Sequence, residues 1–177
     1  MNLNDLDLAV VRYVNAPFSP ELAYLAIGII YSVYAYLIIL AYFFFRKRRS
    51  KRLFHLFVTA VIGYIFVASL KFIISRPRPY EAHQEIRTVF TKVDPSFPSS
   101  HAFIAYLSFC FIPKEVKGRL KHLLILYLLV LIPLSLLYVG VHYPSDVIVG
   151  ALIGLIIPRL ISEKLSASLL QKVFKLI

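Results

Sequence analysis

The sequence predicts an all-α protein, a polytopic bundle of helices that cross a membrane. Of its 177 residues, 59% are hydrophobic and 16% are charged. The hydrophobic share exceeds the roughly 45–50% of typical soluble domains. The hydrophobic residues are also gathered in runs close to the ~20 residues that a bilayer core requires. We therefore expect a single integral-membrane domain over residues 1–177.

Five spans are expected. Apolar runs mark four of them, at residues 18–45, 53–74, 120–139 and 147–161. The fifth, at residues 102–112, is short as an apolar run. It reaches spanning length only if Ser99 and Ser100 begin the helix and the turn after Pro113 continues it.

A shorter amphipathic helix is expected before the first span. Between residues 3 and 14, one helical face gathers apolar side chains, namely Leu3, Leu6, Val10, Tyr13 and Val14. The segment is too short to cross a bilayer, so it is interpreted as an interfacial helix. Pro17 ends it, because proline disfavours helical geometry in the preceding residue.

Most of the 20 basic residues lie where five alternating spans place them on one side of the membrane. They occupy residues 46–52, 114–121 and 159–175. Cytoplasmic loops carry such an excess of Lys and Arg. The net charge of +11 is therefore interpreted as a topology signal, and no nucleic-acid partner is expected. The N-terminal helix, with Asp5 and Asp7, then lies on the outer side.

Three polar clusters lie at the ends of spans, on the face opposite the basic loops. They are Lys71 with Arg78, the segment Pro98-Ser99-Ser100-His101, and His142 with Asp146. Ionisable groups near lipid are costly and usually functional. Together they supply cations for an oxyanion, two imidazoles and a carboxylate. This inventory suits phosphoryl transfer through a histidine.

The first cluster has the character of an anion site. Lys71 and Arg78 lie seven residues apart, so they share a face if the helix continues past Lys71. A guanidinium and an ammonium together can bind a phosphate dianion. The alternative is that Lys71 extends to the interface while Arg78 belongs to an ordinary loop.

The second and third clusters lie at helix starts. Ser99 or Ser100 is a good N-cap, and free N–H groups there bind anions. His101 then falls in the first turn, where it can protonate a leaving oxygen. A helix that begins near Pro144 lets Asp146 reach back to His142 and fix its tautomer. The alternative for both clusters is simple helix capping.

Taken together, the clusters resemble the signatures of the type 2 phosphatidic acid phosphatase superfamily, also called lipid phosphate phosphatases. The first signature, K-x-x-x-x-x-x-R-P, is matched completely at residues 71–79. The second, P-S-G-H, is matched at residues 98–101 except that Ser100 replaces glycine. The third, S-R-x-x-x-x-x-H-x-x-x-D, is matched at residues 135–146 except that Leu136 replaces arginine.

The resemblance implies a membrane phosphatase that needs no metal ion or other cofactor. His142 would attack phosphorus to form a phosphohistidine, with Asp146 orienting it. His101 would protonate the leaving group and then activate water. The phosphate oxygens would be bound by Lys71, Arg78, Ser99 and Ser100.

The two departures bear on activity. In the family the missing arginine contacts the phosphate, and losing such a donor typically costs several kcal/mol of transition-state stabilisation. Arg76 and Arg87 are the candidate accessory cations from the outer loop. Ser100 restricts the backbone if a positive φ is needed there. The alternative function is a catalytically weak member that binds or translocates lipid phosphates.

The implied substrate is a phosphate or diphosphate of an envelope lipid. In small bacterial relatives these are undecaprenyl diphosphate, phosphatidylglycerophosphate, lipid A 1-phosphate and phosphatidate. The outer loop, residues 80–97, is expected to shape headgroup choice. The small size favours a multi-pass protein of the bacterial plasma (inner) membrane, with its site facing the periplasm or outside. A channel is disfavoured, because the charges lie at helix ends rather than in mid-helix.

Overall fold

The computed structural model describes residues 3–168, and the regular elements in that range are all helices. In chain order they are α1 (Leu3–Asn15), α2 (Pro20–Arg46), α3 (Ser50–Ile74), the single turn α4 (Pro79–Ala82), α5 (Ser100–Cys110), α6 (Gly118–Tyr138) and α7 (Pro144–Leu160). A wider π-helical segment, Tyr127–Leu131, lies inside α6. Residues 163–168 are again helical. The all-α prediction is confirmed.

Three helical segments in the described range are long and apolar enough to cross a membrane. They are Pro20–Arg46, Gly118–Tyr138 and the segment Ser50–Ala82, which contains α3 and, after a break at residues 75–78, the turn α4. Helix α5 has 11 residues and α7 has 17, which is short for a bilayer core of about 30 Å at 1.5 Å per residue. The count of five spans therefore stays a prediction.

The basic turns lie at one end of the bundle and the polar clusters at the other. An ion pair between Arg49 and Glu115 joins the turn before α3 to the turn before α6. The polar clusters lie at the opposite ends of the same helices, at the end of α3 and the starts of α5 and α7. The basic residues Lys172 and Lys175 lie outside the described residues.

Helix α3 does not continue past Lys71 far enough to include Arg78. It ends at Ile74, and Ser75 takes a left-handed conformation with φ of 47°. Arg78 follows as the N-cap of α4, where its backbone N–H donates to Glu81 Oε2 at 2.7 Å. Lys71 and Arg78 therefore do not share a helical face, and another group must bring them together.

Helix α1 forms as predicted, but a polar edge of it faces the bundle. Asp7, Val11 and Asn15 are buried along one side, whereas Leu3 and Tyr13 remain exposed. The Asn15 side chain donates to the carbonyls of Arg87 and Tyr138 and accepts from the Arg87 N–H. Asn15 thus fastens α1 to the outer loop and to the end of α6.

Helices α5 and α7 pack backbone to backbone. A Cβ added at Gly150 would lie 2.3 Å from the Ser99 carbonyl oxygen, and one at Gly154 would lie 2.4 Å from the Phe103 carbonyl oxygen. Small residues four positions apart allow this close approach between membrane helices. The contact sets the start of α5 beside the start of α7, where the Ser99 N–H donates to the Asp146 carbonyl at 3.0 Å.

Replacing Gly150 by alanine is expected to destabilise the protein, because the new methyl group meets backbone that cannot move without shifting α5. Overpacking of this kind typically costs about 1–3 kcal/mol. Gly28→Ala is the matched control: nothing lies within 4 Å of its added Cβ, and alanine is favoured over glycine in a helix by about 1 kcal/mol. The midpoints of thermal unfolding of the purified variants in detergent measure both changes in stability. Equal midpoints for the two variants would contradict the close packing.

Candidate active site

His142 and Asp146 face each other in the turn that leads into α7. His142 Nδ1 lies 3.5 Å from Asp146 Oδ2, which is longer than an ordinary N–H···O hydrogen bond, so the contact is mainly electrostatic. The carboxylate is held from two other sides. The Tyr143 N–H donates to Oδ2 at 2.8 Å, and Arg76 Nη1 donates to Oδ1 at 2.8 Å. The helix start predicted at Pro144 is confirmed.

The protonation state of His142 follows from its surroundings. The side chain is 1% exposed, and this burial lowers its pKa to about 4. The Asp146 carboxylate opposes the shift, and the Arg78 charge reinforces it. His142 is therefore neutral at physiological pH, which is the state that a nitrogen nucleophile requires.

His101 lies in the first turn of α5, as predicted, and is buried. Its ring meets the edges of two tyrosines, with centroid distances of 5.4 Å to Tyr31 and 5.5 Å to Tyr34. It is close enough to His142 for their charges to interact. Within residues 3–168, His101 Nε2 has no hydrogen-bond partner. A buried polar atom without a partner is costly, so this nitrogen is available to a substrate oxygen.

Lys71 and Arg78 are brought together by a residue that the sequence did not single out, Asp94. Lys71 Nζ lies 3.0 Å from Asp94 Oδ2, and Arg78 Nη2 donates to Asp94 Oδ1 at 2.9 Å. Burial alone would raise the pKa of Asp94, but the Lys71 hydrogen bond and the Arg78 charge outweigh it and lower that pKa to about 2. Arg78 also donates to the Val141 carbonyl at 2.7 Å, directly beside His142.

Arg76 is bound to two carboxylates of the protein. Its guanidinium donates to Asp146 and to Asp7 of α1, in each case at 2.8 Å. Its accessory role toward phosphate stays a prediction. Asp7 also accepts from the backbone N–H and the hydroxyl of Ser145. The Tyr143 ring lies 3.9 Å beneath the guanidinium. Arg76 thus binds the Asp146 carboxylate directly, and Asp7 holds Arg76 in place.

Arg87 is bound elsewhere, and Leu136 offers no cation in place of the missing family arginine. Arg87 Nη2 donates to the Ala16 carbonyl at 2.7 Å, and its guanidinium lies over the Phe18 ring. These contacts hold Arg87 at the end of α1. Leu136 is 0% exposed and packs in the apolar core. The accessory role predicted for Arg87 therefore finds no support in its contacts.

The start of α5 differs in part from the predicted anion site. Ser99 is the N-cap, as expected, and its hydroxyl accepts from the Ala102 N–H at 3.3 Å. Its own N–H is already used by the Asp146 carbonyl, so it is not a free donor. Ser100 is the first residue of the helix and is partly exposed. Phosphate binding at Ser100 stays a prediction.

Known proteins resemble this chain in sequence and in fold. The PAP2 superfamily profile matches residues 52–167. The chain belongs to the PAP2 superfamily. The crystal structure of Aquifex aeolicus LpxE is 31% identical, with a TM-score of 0.77, and the match covers 90% of this chain and 98% of that one. A transmembrane PAP2-type phosphatidylglycerolphosphate phosphatase from Bacillus subtilis shares the fold at 20% identity, with a TM-score of 0.73 over 97% and 87%. No curated protein sequence matches.

Membership of the PAP2 superfamily confirms the resemblance inferred from the three signatures and supports a membrane phosphatase. The matched region contains every cluster but leaves out the whole of α1 and α2. Those two helices nevertheless supply Asp7 behind Asp146, and Tyr31 and Tyr34 beside His101. Part of the site is therefore built by residues that precede the region matched by the family profile.

An Asp7→Asn substitution is expected to lower kcat for phosphate release by about tenfold or more while KM changes little. The variant weakens a charge-assisted hydrogen bond to Arg76, typically about 1.5–3 kcal/mol, and so loosens the carboxylate behind His142. Glu85→Gln is the control, because it also breaks an ion pair to an arginine, Arg12, but on the exposed surface. Steady-state kinetics in detergent compares them. Equal kcat values for the two variants would show that Asp7 does not act through Asp146.

The His142 imidazole is expected to titrate near pH 4 rather than near its ordinary 6.5. The sign follows from burial, which favours the neutral ring, so protonation requires more acid. Side-chain NMR of histidine-labelled protein in detergent measures this directly, with the resonance assigned by its loss in His142→Ala. A midpoint at or above 6.5 would contradict the buried, cation-flanked environment.

Proposed function

We propose that the protein is an integral-membrane phosphatase that hydrolyses a phosphate monoester or diphosphate of an envelope lipid through a phosphohistidine. One observation carries the proposal. A neutral, buried His142, oriented by Asp146, lies at the same end of the bundle as His101 and the cations Lys71 and Arg78. Nucleophile, proton donor and charge-stabilising groups are then present together.

The first step transfers the phosphoryl group to the protein. Asp146 holds the Nδ1 side of His142, which leaves Nε2 to attack phosphorus. The N–P bond forms as the bond from phosphorus to the leaving oxygen breaks. His101 donates a proton to that oxygen, so a lipid alcohol or a shorter lipid phosphate departs.

The second step returns the protein to its starting state. The neutral His101 now accepts a proton from water, and the resulting hydroxide attacks the phosphohistidine. The N–P bond breaks and inorganic phosphate leaves, while His142 is again neutral and His101 again protonated. Both steps use the same two imidazoles in exchanged roles.

The negative charge on the transferring phosphoryl group is stabilised by cations of this chain. Lys71 and Arg78 are rigidly held by Asp94 and by backbone carbonyls, which suits preorganised stabilisation of a phosphoryl group. Ser100 would add a backbone N–H from the start of α5. No group of three or more His, Cys, Asp or Glu in residues 3–168 is arranged to hold a metal ion.

An apolar groove supports a lipid substrate. It has a volume of about 480 Å³ and runs between α2, α3 and α5. Tyr34 and Phe103 line it, and the Tyr34 ring also contacts His101. A long acyl or prenyl chain in this groove would therefore place its phosphate beside the proton donor.

The proposed substrates are undecaprenyl diphosphate, phosphatidylglycerophosphate, lipid A 1-phosphate and phosphatidate. The name of the Bacillus subtilis neighbour supports including phosphatidylglycerophosphate. We assign the whole chain to one phosphatase domain in the bacterial inner membrane, with the site on the periplasmic or outer side. The basic turns at the opposite end of the bundle support this orientation.

The alternative, a weak family member that binds or translocates lipid phosphates, is favoured by one feature. Leu136, where the family has an arginine, is fully buried and offers the phosphate no donor. Binding of a lipid phosphate with no release of inorganic phosphate would establish this alternative and overturn hydrolysis.

Incubation with each of the four lipids, labelled on the phosphate, tests the proposal. We expect phosphate release with at least one lipid, and label on His142 when the reaction is stopped during turnover by alkaline denaturation. His142→Ala is expected to lower release by at least about 10⁴-fold, because it removes the nucleophile. Retained activity in His142→Ala, or label on another residue, would overturn the phosphohistidine route.

A further inference from the structure

Within residues 3–168, the charges around the two histidines leave one cation uncommitted. Lys71 and Arg78 share the Asp94 carboxylate, and Arg76 binds both Asp7 and Asp146. Each of these three cations already faces an anion of the protein. A phosphate dianion entering the site brings further negative charge, and Leu136 supplies no cation to balance it.

Lys92, in the outer loop, is the cation without an anionic partner at hydrogen-bond distance. Its Nζ lies 5.5 Å from the centre of the Tyr31 ring and 5.6 Å from that of Phe90. Within residues 3–168, Nζ makes no hydrogen bond and no ion pair. Cation–π contacts of this kind hold an ammonium group weakly and leave its N–H donors free.

The backbone at Lys92 is fixed although its ammonium group is free. The Lys92 N–H donates to the Tyr80 hydroxyl oxygen at 2.8 Å, and that hydroxyl lies 3.1 Å from the Lys92 carbonyl. The loop therefore presents this side chain from a set position, as a functional residue requires.

Lys92 lies on the His101 side of the site. The Tyr31 ring beneath its ammonium group also meets the His101 ring, at 5.4 Å. The ammonium group and the imidazole proposed to protonate the leaving oxygen therefore contact the same tyrosine ring.

We propose that Lys92 is a phosphate-binding residue, supplying from the outer loop the cation that Leu136 does not. This inference rests on the proposed function, and it adds a residue that lies outside the three signatures. On substrate binding, the ammonium group leaves the aromatic rings and donates to a phosphate oxygen on the His101 side.

Such a residue gives the site a pH dependence that an arginine would not. Burial, with the charge of Arg78, lowers the pKa of Lys92 to about 8; Asp94 opposes this and Lys71 adds to it. The Tyr31 ring of α2 and the Phe90 ring lie against its ammonium group, and His101 of α5 contacts the same Tyr31 ring. Lys92 is charged below that pH and neutral above it, so phosphate affinity should fall as the pH rises through about 8.

Binding of inorganic phosphate to the detergent-purified full chain tests this without requiring turnover. Calorimetry in a His142→Ala background, near pH 7, compares Lys92→Met, Lys92→Arg and, as control, Lys51→Met in the basic turn at the other end. We expect Lys92→Met to raise Kd about tenfold or more and Lys51→Met to leave it unchanged. Lys92→Arg should bind as the parent does at pH 7 and keep its affinity at pH 9.5, where the parent weakens.

A Lys92→Met protein with the parent Kd, or an alkaline loss of affinity that persists in Lys92→Arg, would overturn the proposal. So would a parent that binds no phosphate at pH 7. A second variant, Leu136→Arg in the Lys92→Met background, should restore the Kd if the two positions serve the same phosphate. Phosphate binding that follows this pattern in a protein that hydrolyses no lipid would refute the proposed function and leave Lys92 as a binding residue.

Discussion

The buried carboxylate of Asp146 is the group on which the arrangement depends. It faces the His142 imidazole, accepts from the Tyr143 N–H and from Arg76, and its own backbone carbonyl accepts from Ser99. One residue therefore connects His142, the start of α7 and the start of α5. A charge buried this deeply is tolerated only because each carboxylate oxygen has a partner. Counted with Ser99, the partners of this residue come from three separate segments of the chain.

The sequence was sufficient to predict the parts of the site that follow from local rules. Span ends, the proline start of α7 and the Ser99 cap all depend on residues close in the chain. Asp94 and Asp7 could not be found in this way. Asp7 binds Ser145 across 138 residues, and no periodicity in a single sequence reports such a contact. The one available signal was that Asp7, Val11 and Asn15 fall on one helical edge.

The two predicted accessory arginines are both held by contacts within the protein. Arg76 binds two buried carboxylates, and Arg87 ties the outer loop to α1. The outer loop also supplies three kinds of group to one small region: the Asp94 carboxylate that binds Lys71 and Arg78, the aromatic surface of Phe90, and the Lys92 ammonium group.

The glycine contacts between α5 and α7 separate the alignment of the two helix starts from the surfaces that meet lipid. Because backbone meets backbone at Gly150 and Gly154, the spacing of the two histidine-bearing helix starts does not depend on side chains that touch lipid. The lipid-facing surfaces of α2 and α3 are then free to change in shape and size. Divergent relatives could in this way acquire new hydrophobic tails as substrates while keeping the alignment of the reacting groups.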